Sequence, residues 1–344
     1  MKLYPNITKI YIVWFIAILL SFYLGFFTLP HSAKFNHDFW GSLANWDGGH
    51  FLGIAQNGYS QNFQYAFFPL YPLTIKALNY LTQNYLAAGI LISVSSAFFG
   101  LHLLYKLVSL DFGKKIAEKV ILAFLFFPTS FYFLAAYSEG LFFLLTIAAF
   151  YFLRTNRLFW AAIFAALASA TRLVGLAVIA GLLIDVLTRQ GLTRKNWYVL
   201  FSFSGFLFYS FFLYKQTGDP FYFLTAENHW QRFLTSPGIG FWETLKNMPV
   251  GGIDLVFAVF GLGFSIRAFR FLPASYAVYS LLSVGIPLFT PTLSSMPRFL
   301  LPVFPIFILI ALIKKPNFVS AYQVIALTML AIFSVFFIAG YWVS

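Results

Sequence analysis

Residues 45–59 read Asn-Trp-Asp-Gly-Gly-His-Phe-Leu-Gly-Ile-Ala-Gln-Asn-Gly-Tyr, and a polar stretch then leads into Ala66-Phe67-Phe68-Pro69-Leu70-Tyr71-Pro72. This places Asp47 and His50 in a polar loop of an otherwise apolar chain. Asp and Glu together number 10 in 344 residues, so a carboxylate set between a tryptophan and two glycines stands out. In a water-accessible pocket at a membrane edge, such a carboxylate can take the proton of a reacting hydroxyl. The glycines allow close approach of backbone or ligand. Trp46 can sit at the level of lipid headgroups or stack on a sugar. A plainer role exists beside these: a helix from about Gly48 to Asn57 makes Asp47 its N-cap, and capping and catalysis can coexist.

Four more polar positions recur at turns between apolar runs. Glu139 lies in Ala136-Tyr137-Ser138-Glu139-Gly140, where it serves either a site or a helix cap. Arg172 lies in Ala170-Thr171-Arg172-Leu173-Val174-Gly175. A guanidinium there suits a phosphate in bidentate geometry, or a lipid headgroup reached by snorkelling. Asp219 opens Gly218-Asp219-Pro220-Phe221-Tyr222-Phe223, a turn or a helix start. Arg298 stands at the mouth of the proline-bent run Ser294 to Pro305. Prolines are tolerated inside a span where the carbonyls they free line a cavity. No phosphate-binding glycine loop, dinucleotide fingerprint, zinc spacing, serine triad or Asp-x-Asp nucleotide-sugar motif stands out. No cofactor is implied, and the sequence gives no support for a divalent metal.

The elements that position these residues follow from composition. The chain is 60% hydrophobic and 9% charged, against about 25% charged in soluble domains. Its mean hydropathy is +0.81. These values describe a polytopic membrane protein, and the apolar runs are helical in length. The net charge of +12 is scattered in short clusters between apolar runs, which argues against nucleic acid as partner. The absence of cysteine excludes disulfides, thiolate metal sites and cysteine nucleophiles.

Reading along the chain gives an all-α bundle of about eleven membrane spans, taken as one domain over residues 1–344. The first span, Ile10 to Leu29, is read as retained. Phe67 to Leu81 reads as a re-entrant or interfacial helix. Val120–Ala136, Leu141–Leu153, Leu158–Ala170 and Leu173–Leu187 read as short spans, and Val250 to Ile266 and Phe299 to Ile313 as further ones. Outer loops cover about residues 30–66 and 215–247, with loop helices after the first span. Seven of the 22 Lys and Arg (Lys34, Lys76, Arg172, Lys215, Arg232, Lys246 and Arg298) fall outside, and the others, Lys2 and Lys9 among them, fall in cytoplasmic segments. Most acidic residues lie outside, so chemistry is expected on the outer face.

Trp46-Asp47-Gly48-Gly49-His50-Phe51-Leu52-x-Ile54-Ala55-x-x-Gly58-Tyr59, followed by Ala66 to Pro72, resembles the GPI mannosyltransferase II (PIG-V) family and its prokaryotic relatives. Tyr137-Ser138-Glu139, Ala170-Thr171-Arg172-x-x-Gly175, Gly218-Asp219-Pro220 and Pro297-Arg298-Phe299 follow in that family's order. The resemblance implies a glycosyltransferase of the GT-C type. Such an enzyme moves a sugar, most often mannose, from a polyprenyl or dolichyl phosphate to an acceptor hydroxyl on a glycan, glycolipid or protein. It works on the outer or luminal side, in the cytoplasmic membrane of a prokaryote or the endoplasmic reticulum of a eukaryote. The expected mechanism is inverting. Asp47 is the base, Arg172 and Arg298 hold the phosphate, and Trp46, His50, Glu139 and Asp219 bind substrate. An apolar groove near Phe67 to Pro72 holds the prenyl tail. The alternative class is a multi-pass transporter or lipid flippase. Its pathway calls for polar groups through the membrane depth, whereas these charges cluster on one side.

Overall fold

Long apolar runs can satisfy their backbone in hydrocarbon only by forming helix or a closed barrel, and here they form helix. The computed structural model describes residues 3–35, 38–189, 191–249 and 251–343. Among them there are helices and no strands. Lys2 and Val250, both used in the topology expected from the sequence, lie outside the described residues.

Among the described residues, five helices are long and apolar enough to cross a membrane: Pro5–Thr28, Tyr85–Phe112, Trp197–Thr217, Gly252–Phe271 and Pro316–Ile338. Leu158–Thr171 and Ala274–Phe289 are apolar but shorter. The expected count of about eleven spans is not confirmed by these lengths, and several of the expected spans are short or broken. Val120–Ala136 is the plainest correction. Its helix, Lys114–Leu125, stops before Pro128, and a 3-10 turn, Ser130–Phe133, follows. Proline brings no N–H, so neighbouring carbonyls find other donors. Phe127 N donates to Phe124 O at 3.2 Å. Ser130 Oγ donates to Leu125 O at 2.7 Å, and Tyr322 OH to Ala123 O at 2.7 Å. The expected span Phe299–Ile313 is likewise split into Met296–Leu300 and Phe304–Leu312. There the Pro302 carbonyl accepts from Tyr279 OH at 2.9 Å.

The chain divides into two compact units. The first comprises Met1–Gly58, Tyr71–Ile147 and Ile310–Val343. Its core is aromatic, with Phe22, Phe124, Phe131, Phe133 and Phe337 fully buried. Trp14 Nε1 reaches Ser130 Oγ at 3.2 Å. The second comprises Tyr59–Leu70 and Ala148–Leu309. Its helices pack through small residues. A Cβ on Gly205 would come within 1.9 Å of the Ala166 carbonyl, and one on Gly181 within 2.8 Å of the Ser275 carbonyl.

Gly205→Ala should therefore cost about 1–3 kcal/mol by overpacking, read as a lower melting temperature in detergent. Gly263→Ala, where a Cβ meets open space inside a helix, should be neutral or slightly stabilising. Equal melting of both variants would refute the close-packing account.

Candidate functional site

In the first unit, a 3-10 turn, Gly41–Ala44, leads into Asn45 and Trp46. Asp38 Oδ2 accepts the Gly41 amide at 2.8 Å and starts that turn. Trp46 then takes φ +58° and ψ −124°, a conformation that non-glycine residues rarely adopt and that costs about 1–3 kcal/mol. The helix Asp47–Asn57 begins immediately after it. Asp47 thus holds the first helical position; the expected N-cap position belongs to Trp46, because the chain turns sharply there. His50 follows three residues later, so both side chains leave the same side of the first turn. Both are half-buried.

Trp46 is held by aromatic neighbours. Its ring centroid is 4.9 Å from Phe35 and 5.0 Å from Trp342, and Lys34 Nζ lies 5.5 Å over the indole. The ring braces the turn from which Asp47 starts.

The Glu139 turn is joined to this same turn. Ala136 N donates to Leu43 O at 2.9 Å, and Tyr137 OH donates to Asn45 O at 2.8 Å. Asn45 Nδ2 donates to Phe337 O at 3.0 Å, and Ser93 Oγ to Tyr137 O at 2.8 Å. Gly48 closes the joint: a Cβ there would stand 3.3 Å from both the Ala136 carbonyl and the Tyr137 ring. Gly140 plays the same part on the other side, since a Cβ would come 2.6 Å from the Ser93 carbonyl. Glu139 begins the helix Glu139–Arg154 and is 1% exposed. Its carboxylate acts electrostatically on the Tyr71 hydroxyl, which itself bonds Ser93 Oγ at 2.9 Å. Two acidic residues some ninety positions apart thus open two helices whose entry turns are bonded to each other. Helix N-termini favour such anions.

Arg172, Asp219 and Arg298 belong to the second unit. Arg172 follows the helix Leu158–Thr171 in extended backbone, its N–H donating to Ala168 O at 3.2 Å. Gly175 N donates back to Arg172 O at 2.9 Å. The half-buried guanidinium leaves from a helix C-terminus, where a cation is favoured. Asp219 is not the cap of the helix Tyr222–Ala226, a place taken by Phe221. Its Oδ1 accepts the Phe221 amide at 2.8 Å, a local turn made possible by Gly218 at φ +79°. Arg298 sits in the short helix Met296–Leu300 and is 7% exposed. Its guanidinium carbon lies 5.6 Å from the Phe299 ring centroid.

Sequence reasoning passed over two residues here. Arg232 also lies over Phe299, at 5.0 Å, and Asp254 Oδ1 accepts the Met296 amide at 3.1 Å. Arg232 was legible only as one more outer cation and Asp254 only as a residue near the start of a span. Of the residues expected near the prenyl tail, Phe67 and Phe68 are buried, and Phe68 packs 4.7 Å from Tyr209 and 5.6 Å from Phe223. Among the described residues no group of three His, Asp or Glu is placed to hold a metal ion.

Comparison with known proteins adds to this geometry. The family described as mannosyltransferase (PIG-V) matches residues 26–216. That stretch contains Trp46, Asp47, His50, Glu139 and Arg172, while Asp219 and Arg298 lie beyond it. Human GPI alpha-1,6-mannosyltransferase 2 is 32% identical over 154 residues, which are 42% of this chain and 31% of the human protein. GPI mannosyltransferase 2 of Drosophila melanogaster is 31% identical over 113 residues, 30% of this chain and 25% of the fly protein. The matched stretch thus spans a third or less of these relatives. The crystal structure of ArnT from Cupriavidus metallidurans bound to undecaprenyl phosphate superposes with a TM-score of 0.55 at 15% identity. It covers 94% of this chain and 63% of ArnT. The shared fold is of the GT-C type.

Tyr137→Phe removes the hydroxyl that ties Asn45 to the Glu139 turn. It should cost about 1 kcal/mol of stability, seen as a small drop in melting temperature. Unchanged stability would mean that the bond does not hold the turn.

Proposed function

Because this chain belongs to the mannosyltransferase (PIG-V) family, we propose that it transfers mannose from a polyprenyl-phosphate donor to an acceptor hydroxyl, with inversion, on the non-cytoplasmic face of a membrane. The observation that carries this reading is the fixed place of Asp47, at a helix start behind a strained tryptophan and tied to the Glu139 turn. Apolar helices of spanning length and the fold shared with ArnT support a membrane setting and a lipid-borne donor.

In the proposed reaction the acceptor oxygen attacks the anomeric carbon as Asp47 takes its proton. The bond from that carbon to the phosphate oxygen breaks, and its electron pair leaves with the lipid phosphate. That leaving group is already a stable anion and requires positive charge more than a proton, which is the role of Arg172 and Arg298. His50, on the same side of the helix as Asp47, orients the carboxylate or a sugar hydroxyl. Glu139 binds the acceptor, while Trp46 and Asp219 shape the loops that receive substrate. The acceptor belongs to a glycan, glycolipid or protein. The membrane is the cytoplasmic membrane in a prokaryote or the endoplasmic reticulum in a eukaryote.

Transfer from a radiolabelled mannosyl polyprenyl phosphate, measured in proteoliposomes, tests the scheme. Asp47→Asn should lower the rate by about 10²–10⁴ with melting unchanged. Near-normal transfer by that variant would remove Asp47 from the base role. Arg298→Ala should raise the donor KM about tenfold, and an unaltered donor dependence would remove its phosphate contact. Counterflow of labelled lipid without any covalent product would replace transfer with transport.

A further inference from the structure

Arg298 sits in a helix of five residues, Met296–Leu300, too short to hold its own register. The residue before it, Ser295, is at φ +70°, where a non-glycine side chain is strained. Such a turn keeps its shape only if its surroundings impose it. Within the same unit, two distant residues do so. Asp254, in the first turn of the helix Gly252–Phe271, accepts the Met296 amide at 3.1 Å. Arg232, from the second long loop, donates through Nη2 to Ser294 O and lies close enough to act on the Asp254 carboxylate. Gln231, next to it, adopts φ +58°, so Arg232 too leaves a strained turn. Arg232 and Arg298 then lie over the same ring, at 5.0 and 5.6 Å from the Phe299 centroid.

We propose that Asp254 and Arg232 are positioning residues for Arg298: Asp254 fixes the amide end of the Ser294–Met296 turn, and Arg232 its carbonyl end. The proposal rests on the reading of Arg298 as a contact of the donor phosphate. A carboxylate is the stronger acceptor for the amide of the buried Met296. The nearby guanidinium offsets the cost of taking that carboxylate out of water. The pair therefore holds the turn as a unit, and losing either member releases it.

The test uses the full chain in proteoliposomes, with a mannosyl polyprenyl phosphate as probe, and follows amide exchange over residues 294–299 in the same preparations. Asp254→Ala should speed exchange at Met296 and raise the donor KM about tenfold, with kcat changed by less than about twofold. Asp254→Asn keeps an oxygen for the Met296 amide and should stay within about threefold of the parent in KM. Arg232→Gln should repeat the Asp254→Ala pattern and serves where that variant fails to insert. Unchanged exchange in Asp254→Ala and Arg232→Gln overturns the proposal whatever the kinetics. Faster exchange with an unaltered donor KM overturns it as well, and Arg298→Ala then shows which idea failed. A raised KM in Arg298→Ala condemns the positioning role alone, whereas an unaltered one brings down the phosphate contact itself.

Discussion

The hydrogen bond from Tyr137 OH to Asn45 O, with its companion from Ala136 N to Leu43 O, is the constraint on which the first unit's polar end depends. Asn45 is the last residue before the strained Trp46, so whatever fixes Asn45 fixes the direction in which Asp47 leaves. Tyr137 is itself held from below by Ser93, and Ser93 by Tyr71. The chain of contacts runs from a helix of spanning length to a single carboxylate. The proposed role of Asp47 as base calls for a carboxylate that waits at the right place with little freedom to lose. Buried tyrosines bonded to backbone carbonyls supply that rigidity without adding charge to an apolar interior.

Carboxylates and guanidinium groups are sorted differently along the chain. The residues offered as base and acceptor contacts come from the first unit and those offered to the phosphate from the second. Each set is positioned by its own means. Asp47 and Glu139 stand at helix starts braced by small residues and tyrosines. Arg172 stands at a helix end, and Arg298 in a short helix flanked by Asp254 and Arg232. The acidic set lies in the stretch that the family pattern covers, together with Arg172, whereas Arg298 lies beyond it.

Much of the helical layout was legible in the residues. Tyr85–Phe112 is plain as a long apolar run whose start Asn84 announces by accepting the Ala87 amide. Leu158–Thr171 and Glu139–Arg154 were equally plain between their flanking charges. The break after Leu125 was not foreseen. Pro128 lies in an otherwise continuous apolar run, and the hydroxyls that rescue its neighbours' carbonyls are local in Ser130 but remote in Tyr322. The motif around Asp47 was conspicuous by rarity of charge, yet its bond to the Glu139 turn joins residues ninety positions apart, beyond the reach of spacing rules. Asp254 and Arg232 escaped notice for the same reason: neither has a telling neighbour in sequence, and their meaning lies in a turn 42 residues away for Asp254 and 62 for Arg232.

The helix Phe304–Leu312 has a consequence for how the protein is made. It is nine residues long, about 14 Å at helical rise, so it is far too short to cross about 30 Å of hydrocarbon unaided. Phe304, Ile306, Phe307, Ile308 and Leu309, which together point around the whole helix, are each no more than 4% exposed, so no side of it is reserved for lipid. Such a segment has no resting place in a bilayer until other helices surround it. Its arrival must come late in biogenesis, after earlier segments have left the translocon, and the Arg298 turn that precedes it in sequence can settle only then.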